Sequence, residues 1–220
     1  MKNYLFCTLV GAALFCACNK EKAAKLIEVD DVCAMIEDAN FKTYCYQKFD
    51  INLDNKVSMD EALSVRIIDL LGGPGDEGKV SSMKGIEYFL NLERLIIWGH
   101  NLSSLDLSNN MELVELTIPF GKLVSLNISK NAKLQSLNCQ HNKLTSLDVS
   151  NNVNLTELYC GNNMLISLDV SKNTVLLGLI CDYNYLDYLD LTSNKSLEFC
   201  WINPQNNGNI TPIGWIEQGD

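Results

Sequence analysis

The stretch LQSLNCQHNKLTSLDVSNN, residues 134–152, decides the fold, because its pattern returns every 21 residues through more than half of the chain. At six positions of the repeat, here called columns, the same kind of residue recurs every 21 residues over about five repeats. The two most regular are Leu92, Leu113, Leu134, Leu155, Leu176 and Leu197, and Leu95, Leu116, Leu137, Leu158 and Leu179. A fixed period of roughly 20–29 residues with this leucine spacing is typical of a solenoid. Stacked repeats build long surfaces, so the pattern favours binding over catalysis.

Each repeat has two halves. The first half predicts a short parallel strand at 136–140 and its equivalents. The second half turns the chain back, with Ser150 and Asn152 expected to bond local backbone at the corner. Because 21 residues leave no room for a full outer helix, the return side should be extended or 3₁₀-like.

An asparagine column predicts a buried ladder of side-chain amides that satisfies backbone groups of the turns. Its members are Asn142, Asn163 and Asn184. In the outer repeats the same column holds His100, Gly121 and Gln205, and these residues are expected to break the ladder.

A cysteine column, Cys139, Cys160 and Cys181, occupies a repeat position that elsewhere holds isoleucine and predicts small buried hydrophobes. The pattern resembles the leucine-rich repeats of the internalin J type, whose 21-residue units also carry a cysteine column. It is also similar to bacterial lipoproteins with GIEYF, here residues 85–89, before the first repeat. The resemblance covers residues 80–203. It implies a ligand-binding or adhesive role and no catalysis.

The fold class expected is an α/β solenoid: a leucine-rich repeat array with short parallel strands, capped at the N-terminus by a small helical EF-hand-like domain. The segments are 1–17, a lipoprotein signal peptide; 18–29, a tether; 30–79, the helical cap with a loop at 50–61; 80–202, the repeats; and 203–220, a C-terminal cap or truncated repeat. Helical apolar spacing in the cap predicts a third helix from Ala62 to Leu71.

The N-terminal residues read as a targeting segment. A 14-residue apolar run, Tyr4 to Ala17, is too short to span a bilayer but fits a signal h-region. Its end resembles a bacterial lipobox, with Phe15 where leucine is usual and Cys18 as the acylated residue. The location expected is the bacterial outer membrane, on the surface or the periplasmic side. An ordinary secretory signal is the alternative. In an exported protein, Cys33 and Cys45 could pair or stay free.

Residues 50–61, DINLDNKVSMDE, match a twelve-residue calcium loop. The expected metal ligands are Asp50, Asn52, Asp54, the backbone carbonyl of Lys56, Ser58 and Glu61. Asn55 replaces the usual glycine at position 6, and asparagine tolerates the left-handed backbone better than most residues. The cofactor expected is one structural calcium ion that pins the cap. The alternative is a polar helix–loop–helix turn without an ion.

Several functions are disfavoured. A formal net charge of −10 argues against nucleic acid as a partner, since phosphates call for a basic face. Residues 73–80 nearly spell a nucleotide-binding loop, but Val80 stands where magnesium needs Ser or Thr. The two histidines, His100 and His141, occupy different repeat columns with no catalytic arrangement around them. A column of return-side aspartates, including Asp148 and Asp169, is interpreted as a solvated edge.

Outward strand positions predict a partner-binding concave face, because exposed aromatic side chains act as binding anchors. The residues singled out are Trp98, Phe120, Asn138, His141, Tyr159, Ile180, Tyr183 and Trp201. The function expected is an envelope lipoprotein that binds a protein or peptide through this face. The alternatives are glycan binding in a nutrient-uptake system and a purely structural envelope role.

Overall fold

A computed structural model describes residues 29–70 and 80–214. The cap contains a 3₁₀ turn (Val32–Met35), helices α1 (Ala39–Phe49) and α2 (Met59–Ser64) and strand β1 (Ile67–Leu70). The array contains a 3₁₀ turn (Ile86–Tyr88) and strands β2 (Arg94–Ile97), β3 (Ser104–Asp106), β4 (Glu115–Thr117), β5 (Ser125–Asn127), β6 (Ser136–Asn138), β7 (Glu157–Tyr159), β8 (Gly178–Ile180) and β9 (Phe199–Trp201). Among the described helices, none is both long and apolar enough to cross a membrane.

Seven strands form one parallel sheet in the order β1-β2-β4-β6-β7-β8-β9. Residues 21 apart are direct partners, as in Leu116↔Leu137 and Leu137↔Leu158, so the coils stack without offset. The leucine columns and the cysteine column are buried, and Cys139, Cys160 and Cys181 are free thiols, which confirms their reading as small core residues. The predicted solenoid of short parallel strands is confirmed.

The return side carries no helix within residues 103–214, as the 21-residue period predicts. Only β3 and β5 pair there as regular strands. The corner is closed locally by the Asp148 side chain, which accepts from the backbone N–H of Ser150 at 2.9 Å, rather than by the Ser150 side chain that was expected to bond the backbone. Asn152 behaves differently. Its Nδ2 donates to the carbonyls of Ile128 and Asn131 in the preceding coil, at 3.1 and 2.9 Å. The expectation of purely local bonding was therefore wrong at Asn152.

The predicted amide ladder is confirmed at Asn142, Asn163 and Asn184. Asn163 is typical: its Oδ1 accepts from the N–H of Leu144 at 3.0 Å, and its Nδ2 donates to the carbonyls of Cys139 and Cys160, both at 3.0 Å. Each ladder residue thus joins two coils through groups that the turn leaves unpaired.

The ladder is interrupted at His100 and Gly121, as the sequence predicts, but it does not break at Gln205. Gln205 extends it, since its Oε1 accepts from Leu186 N–H at 3.1 Å and its Nε2 donates to the Cys181 carbonyl at 3.1 Å. One extra methylene still lets the amide reach. His100 compensates for Gly121: its Nδ1 accepts from the N–H of Leu102 at 3.1 Å, the group that an amide at position 121 would cap. A Cβ at Gly121 would overlap the His100 ring.

The cap is continuous with the array. Asp38 caps α1 through the N–H groups of Asn40 and Phe41, both at 3.0 Å. The predicted third helix to Leu71 was wrong: α2 ends at Ser64, and β1 pairs in parallel with β2, with Ile68 opposite Leu95. Pairing satisfies the edge of β2 and buries Ile68 completely, which outweighs the helical spacing.

Candidate functional site

The strand face is the outward side of the seven-stranded sheet together with the residues that directly follow each strand. All eight residues predicted to bind a partner lie on it. Asn138, Tyr159, Ile180 and Trp201 occupy one outward row of the strands, and the other four follow the strands. Four aromatic side chains leave large surfaces uncovered: Trp98 at 47% exposure, Phe120 at 51%, Tyr183 at 44% and Trp201 at 63%. Apolar area of this kind on successive coils is typical of a binding surface.

Three rings from successive coils form a continuous row. The ring centroids of Trp98 and Phe120 are 5.4 Å apart, and those of Phe120 and His141 are 4.5 Å apart with the planes at 12°. The faces of Phe120 and His141 that meet cover each other, so this part of the row offers mainly ring edges to a ligand. Such aromatic pairs stabilise their own arrangement by roughly 0.5–1.5 kcal/mol.

The backbone holds this row in place through a repeated left-handed conformation. Phe120, His141, Asn162 and Tyr183 have φ values of 57, 53, 55 and 50°. Non-glycine residues rarely adopt this region, at a cost of roughly 1–2 kcal/mol each. Bonds to the next coil impose it: Phe120 N–H donates to the Gln140 carbonyl at 3.1 Å, and His141 N–H donates to the Gly161 carbonyl at 3.1 Å. Since the dihedral repeats, the side chains leave the backbone in the same direction on every coil.

A second aromatic group lies towards the C-terminal coils. The ring centroids of Tyr159 and Phe199 are 6.3 Å apart. Phe199 folds over Gly178, where a Cβ would overlap its ring. Trp201 stands two residues further along β9, in the same row as Tyr159. Glycine at 178 therefore lets two aromatic residues two coils apart approach each other.

Polar groups occupy the remaining strand face. Arg94 pairs with Glu115 at 3.0 Å, and the hydroxyl of Ser136 donates to Glu157 at 3.1 Å. The Asp182 carboxylate rests on Gly161, where a Cβ would overlap it, and its Oδ1 is buried with no hydrogen-bond partner. Desolvation raises the pKa of Asp182, although its own backbone N–H and nearby His141 act to lower it.

The 50–61 loop is closed by hydrogen bonds between its own side chains and backbone. Asp50 accepts from the N–H groups of Asp54 and Asn55 at 3.1 and 3.0 Å, which draws the loop around its first side chain. Asn55 has a φ of 66°, so asparagine takes the left-handed position where glycine is usual, and Leu53 is left-handed at 61°. Asp54 accepts from the N–H of Lys56 at 2.9 Å.

Glu61 is turned onto the backbone. It accepts from Ile51 and Asn52 N–H at 2.9 and 3.3 Å, and it forms a capping box with Ser58. Desolvation acts to raise the pKa of Glu61, but these hydrogen bonds, from Ser58 first, bring it below its usual value. Within residues 29–70 and 80–214, no three His, Cys, Asp or Glu side chains converge closely enough to hold a metal ion. The side chains predicted to bind the metal lie in the loop, but the Glu61 carboxylate is hydrogen-bonded to backbone N–H groups.

The loop is tied to the start of the cap. Val57 accepts from the N–H of Val32 at 2.8 Å and donates its own N–H to Asp31 at 3.1 Å. Asp31 also accepts from the Tyr46 hydroxyl on α1 at 2.6 Å. Both backbone groups of Val57 are therefore paired within the cap.

The other sequence features have local explanations or lie outside the described residues. Asp148, Asp169 and Asp190 each accept from a backbone N–H two residues later, which supports their interpretation as a solvated edge. Cys33 and Cys45 are both buried and free. Cys18, with the signal peptide and most of the tether, lies outside the described residues, as do most of the linker at 73–80 and Trp215.

Two features of the site escaped sequence reasoning. The stacking of Phe120 on His141 depends on the left-handed turn, which two bulky residues do not signal. The contact between Gly161 and Asp182 crosses coils 21 residues apart. A small residue directly beneath a charged one in the same column was the signal available for it.

No protein-family model and no curated protein match the chain. Among solved structures, an internalin (InlF) from Listeria monocytogenes has a TM-score of 0.54 at 23% identity, covering 83% of this chain and 61% of that one. A leucine-rich repeat protein from Leptospira interrogans has a TM-score of 0.54 at 18% identity, covering 67% and 45%. The functional domain of InlJ from Listeria monocytogenes covers 83% and 54% at 21% identity, but its TM-score of 0.36 carries no structural argument.

This chain spans about half to three fifths of those structures. At these identities the likeness concerns the fold alone. Stacked coils of this fold present extended surfaces. The chain therefore has an internalin-like leucine-rich repeat fold, with 21-residue coils and a small helical cap at its N-terminus.

Proposed function

We propose that this chain is an exported module, anchored to the bacterial envelope through Cys18, that binds a protein or peptide partner on its strand face. The observation that supports this most is the row of Trp98, Phe120 and His141, whose rings already contact one another and whose last two residues have a left-handed backbone. Fixed aromatic side chains lose little conformational freedom on binding, which favours affinity. The mutual stacking of Phe120 and His141 favours a protein over a sugar, because sugars stack on free ring faces.

The test is a screen of the exported protein against protein, peptide and glycan arrays, followed by the double change Trp98→Ala and Tyr159→Ala. We expect the double variant to lose at least about tenfold in affinity for a protein or peptide ligand, since two buried aromatic anchors would contribute more than 1.4 kcal/mol together. Its melting temperature should stay close to that of the parent.

The matched control is Ile166→Ala, which removes an apolar side chain that is 72% exposed on the return side. Equal losses in the control and the double variant would contradict a strand-face site. Ligands found only on the glycan array would replace the proposal with the glycan-binding alternative.

We also propose that the 50–61 loop binds one structural calcium ion. Support comes from the left-handed Asn55, the loop closed around Asp50, and the oxygen donors Asn52, Asp54, Ser58 and the Lys56 carbonyl. Binding would require Glu61 to leave the amides of Ile51 and Asn52 and turn to the ion. Carboxylate and carbonyl oxygens are the ligands that calcium prefers.

A further inference from the structure

The two ends of the seven-stranded sheet are closed differently. At the N-terminal end, the backbone N–H of Asp69 on β1 donates to the Tyr44 hydroxyl of the cap at 3.0 Å, and Asp69 also places a carboxylate on this edge strand. Bonded and charged edges discourage a sheet from pairing with another chain. At the C-terminal end β9 is the last strand of the sheet, and within residues 29–70 and 80–214 no further strand pairs with it.

The backbone of Cys200, the central residue of β9, points towards this open side. Phe199 N–H donates to the Leu177 carbonyl at 3.2 Å, and the Trp201 carbonyl accepts from Cys181 N–H at 2.8 Å, so both flanking residues bond towards β8. Successive residues of a strand direct their backbone groups to opposite sides, so Cys200 directs its N–H and its carbonyl away from β8. One residue with both groups outward can exchange two hydrogen bonds with its equivalent in an antiparallel pair.

The open edge is apolar and uncharged. β9 consists of Phe199, Cys200 and Trp201, without the charged residue or proline that commonly protects an exposed edge. Trp201 is 63% exposed, and Cys200 is partly exposed, whereas Leu179 is completely buried at the same position one coil earlier. The edge therefore combines unpaired backbone groups with uncovered apolar side chains.

An antiparallel pair centred on Cys200 makes this edge complementary to itself. Phe199 of one copy then lies opposite Trp201 of the second copy, and the two-fold axis repeats the pair. The Phe199 ring leans over Gly178, where a Cβ would overlap it, and this leaves room above the open edge for the longer indole. Aromatic side chains directly opposite each other stabilise antiparallel strands, most closely at positions that do not exchange hydrogen bonds.

We propose that two copies of this chain associate end to end by antiparallel pairing of β9 with β9 around Cys200. This pairing places Glu198 opposite Ile202 of the second copy, so no like charges meet beside the axis. A second copy fits the edge better than an unrelated extended peptide, because one strand already contains both members of the aromatic pair. The inference goes beyond the proposed function, whose test residues Trp98 and Tyr159 lie outside β9.

The test is sedimentation of the exported protein in mild detergent over a range of protein concentrations. We expect a monomer–dimer equilibrium, and Trp201→Lys should weaken it at least about tenfold, because a charge then stands at each aromatic pair. Cys200→Pro should weaken it similarly, since it removes an N–H that bonds only the second copy and leaves the bonds to β8 in place. Circular dichroism spectra check that both variants remain folded.

The matched control is Thr117→Lys, which adds the same charge to the same outward row on β4. Equal weakening in Thr117→Lys and Trp201→Lys would overturn the proposal, because the charge would not act at the edge. A parent protein that stays monomeric at every concentration would also overturn it. Hydrogen exchange gives a further check: a Cys200 amide that stays protected in monomeric Trp201→Lys would mean that the same chain covers the edge, which contradicts the pairing.

Discussion

His100 shows how one residue can replace another across coils. Its ring occupies the space beside Gly121 and caps Leu102, a task that asparagine side chains perform in the inner coils. The ring is 2% exposed, and burial lowers the pKa of His100 to about 4, although the Ile118 backbone opposes this. Because Nδ1 accepts from the N–H of Leu102, the neutral ring carries its proton on Nε2, and a second proton would have to bind Nδ1 and displace that hydrogen bond.

This arrangement predicts a specific dependence of stability on pH. The folded pKa of about 4 lies below the unfolded value of 6.5, so the unfolded chain binds the proton more tightly. His100 therefore contributes its full stability above pH 6.5 and loses it as the pH falls towards 4, by up to about 3 kcal/mol. Chemical unfolding of His100→Gln, compared with the parent from pH 4 to 7, should show this slope removed.

The control is His141→Gln, which changes the exposed histidine. Its unfolding free energy should follow the parent's pH dependence. If the unfolding free energy of His100→Gln keeps the pH dependence of the parent, other groups cause that dependence.

At the scale of the element, the buried asparagines of the amide ladder bond different groups from Asn152 and Asn173, which lie at another position of the repeat. Asn163 bonds the Leu144 N–H and several carbonyls, whereas Asn173 donates to the carbonyls of Val149 and Asn152 and keeps an unpaired Oδ1. Asn163→Ala should therefore lower the free energy of unfolding more than Asn173→Ala, by roughly 1–3 kcal/mol, because it also orphans a buried N–H. Urea titrations of both variants measure this. Equal losses would contradict the distinction.

The calcium loop gives a second prediction at this scale. With calcium at about 100 times its dissociation constant, binding would add about 2.7 kcal/mol to the free energy of unfolding. Asp50→Ala should lower the melting temperature strongly in calcium and only slightly in chelator. Asp60→Ala, which removes an exposed neighbouring charge that is not a ligand, should lack this difference. An equal loss for Asp50→Ala in both buffers would argue against the ion.

The elements also show what the sequence can and cannot reveal. A 21-residue period fixed the strands, the buried columns and the outward rows, because in-register stacking gives each column a single environment. It gave no warning of β1, since the segment around Ile68 has helical apolar spacing and pairs only because β2 would otherwise expose an edge. The left-handed backbone at Phe120, His141, Asn162 and Tyr183 could not be predicted from the sequence for the same reason, because hydrogen bonds between coils impose it.

On the scale of the whole molecule, each coil contacts mainly its neighbours, so stability should be local. Phe49 on α1 lies 5.5 Å from Phe89 at the start of the array, ring centroid to ring centroid, and joins the cap to the first coils. Phe49→Ala should cost about 3–5 kcal/mol in the cap. Hydrogen exchange should then accelerate in the cap and β2 and stay unchanged at β7 and β8. Uniform acceleration along the array would show a single cooperative unit.

The absence of offset between coils has a consequence for how such a protein changes over generations. Each ladder amide reaches the same atoms of the coil below, so gaining or losing one 21-residue unit inside the array leaves the bonds of the remaining units intact. Slippage during gene replication that adds or removes whole 21-residue units would therefore keep the amide ladder continuous. The length of the seven-stranded sheet would then change in steps of ~4.8 Å.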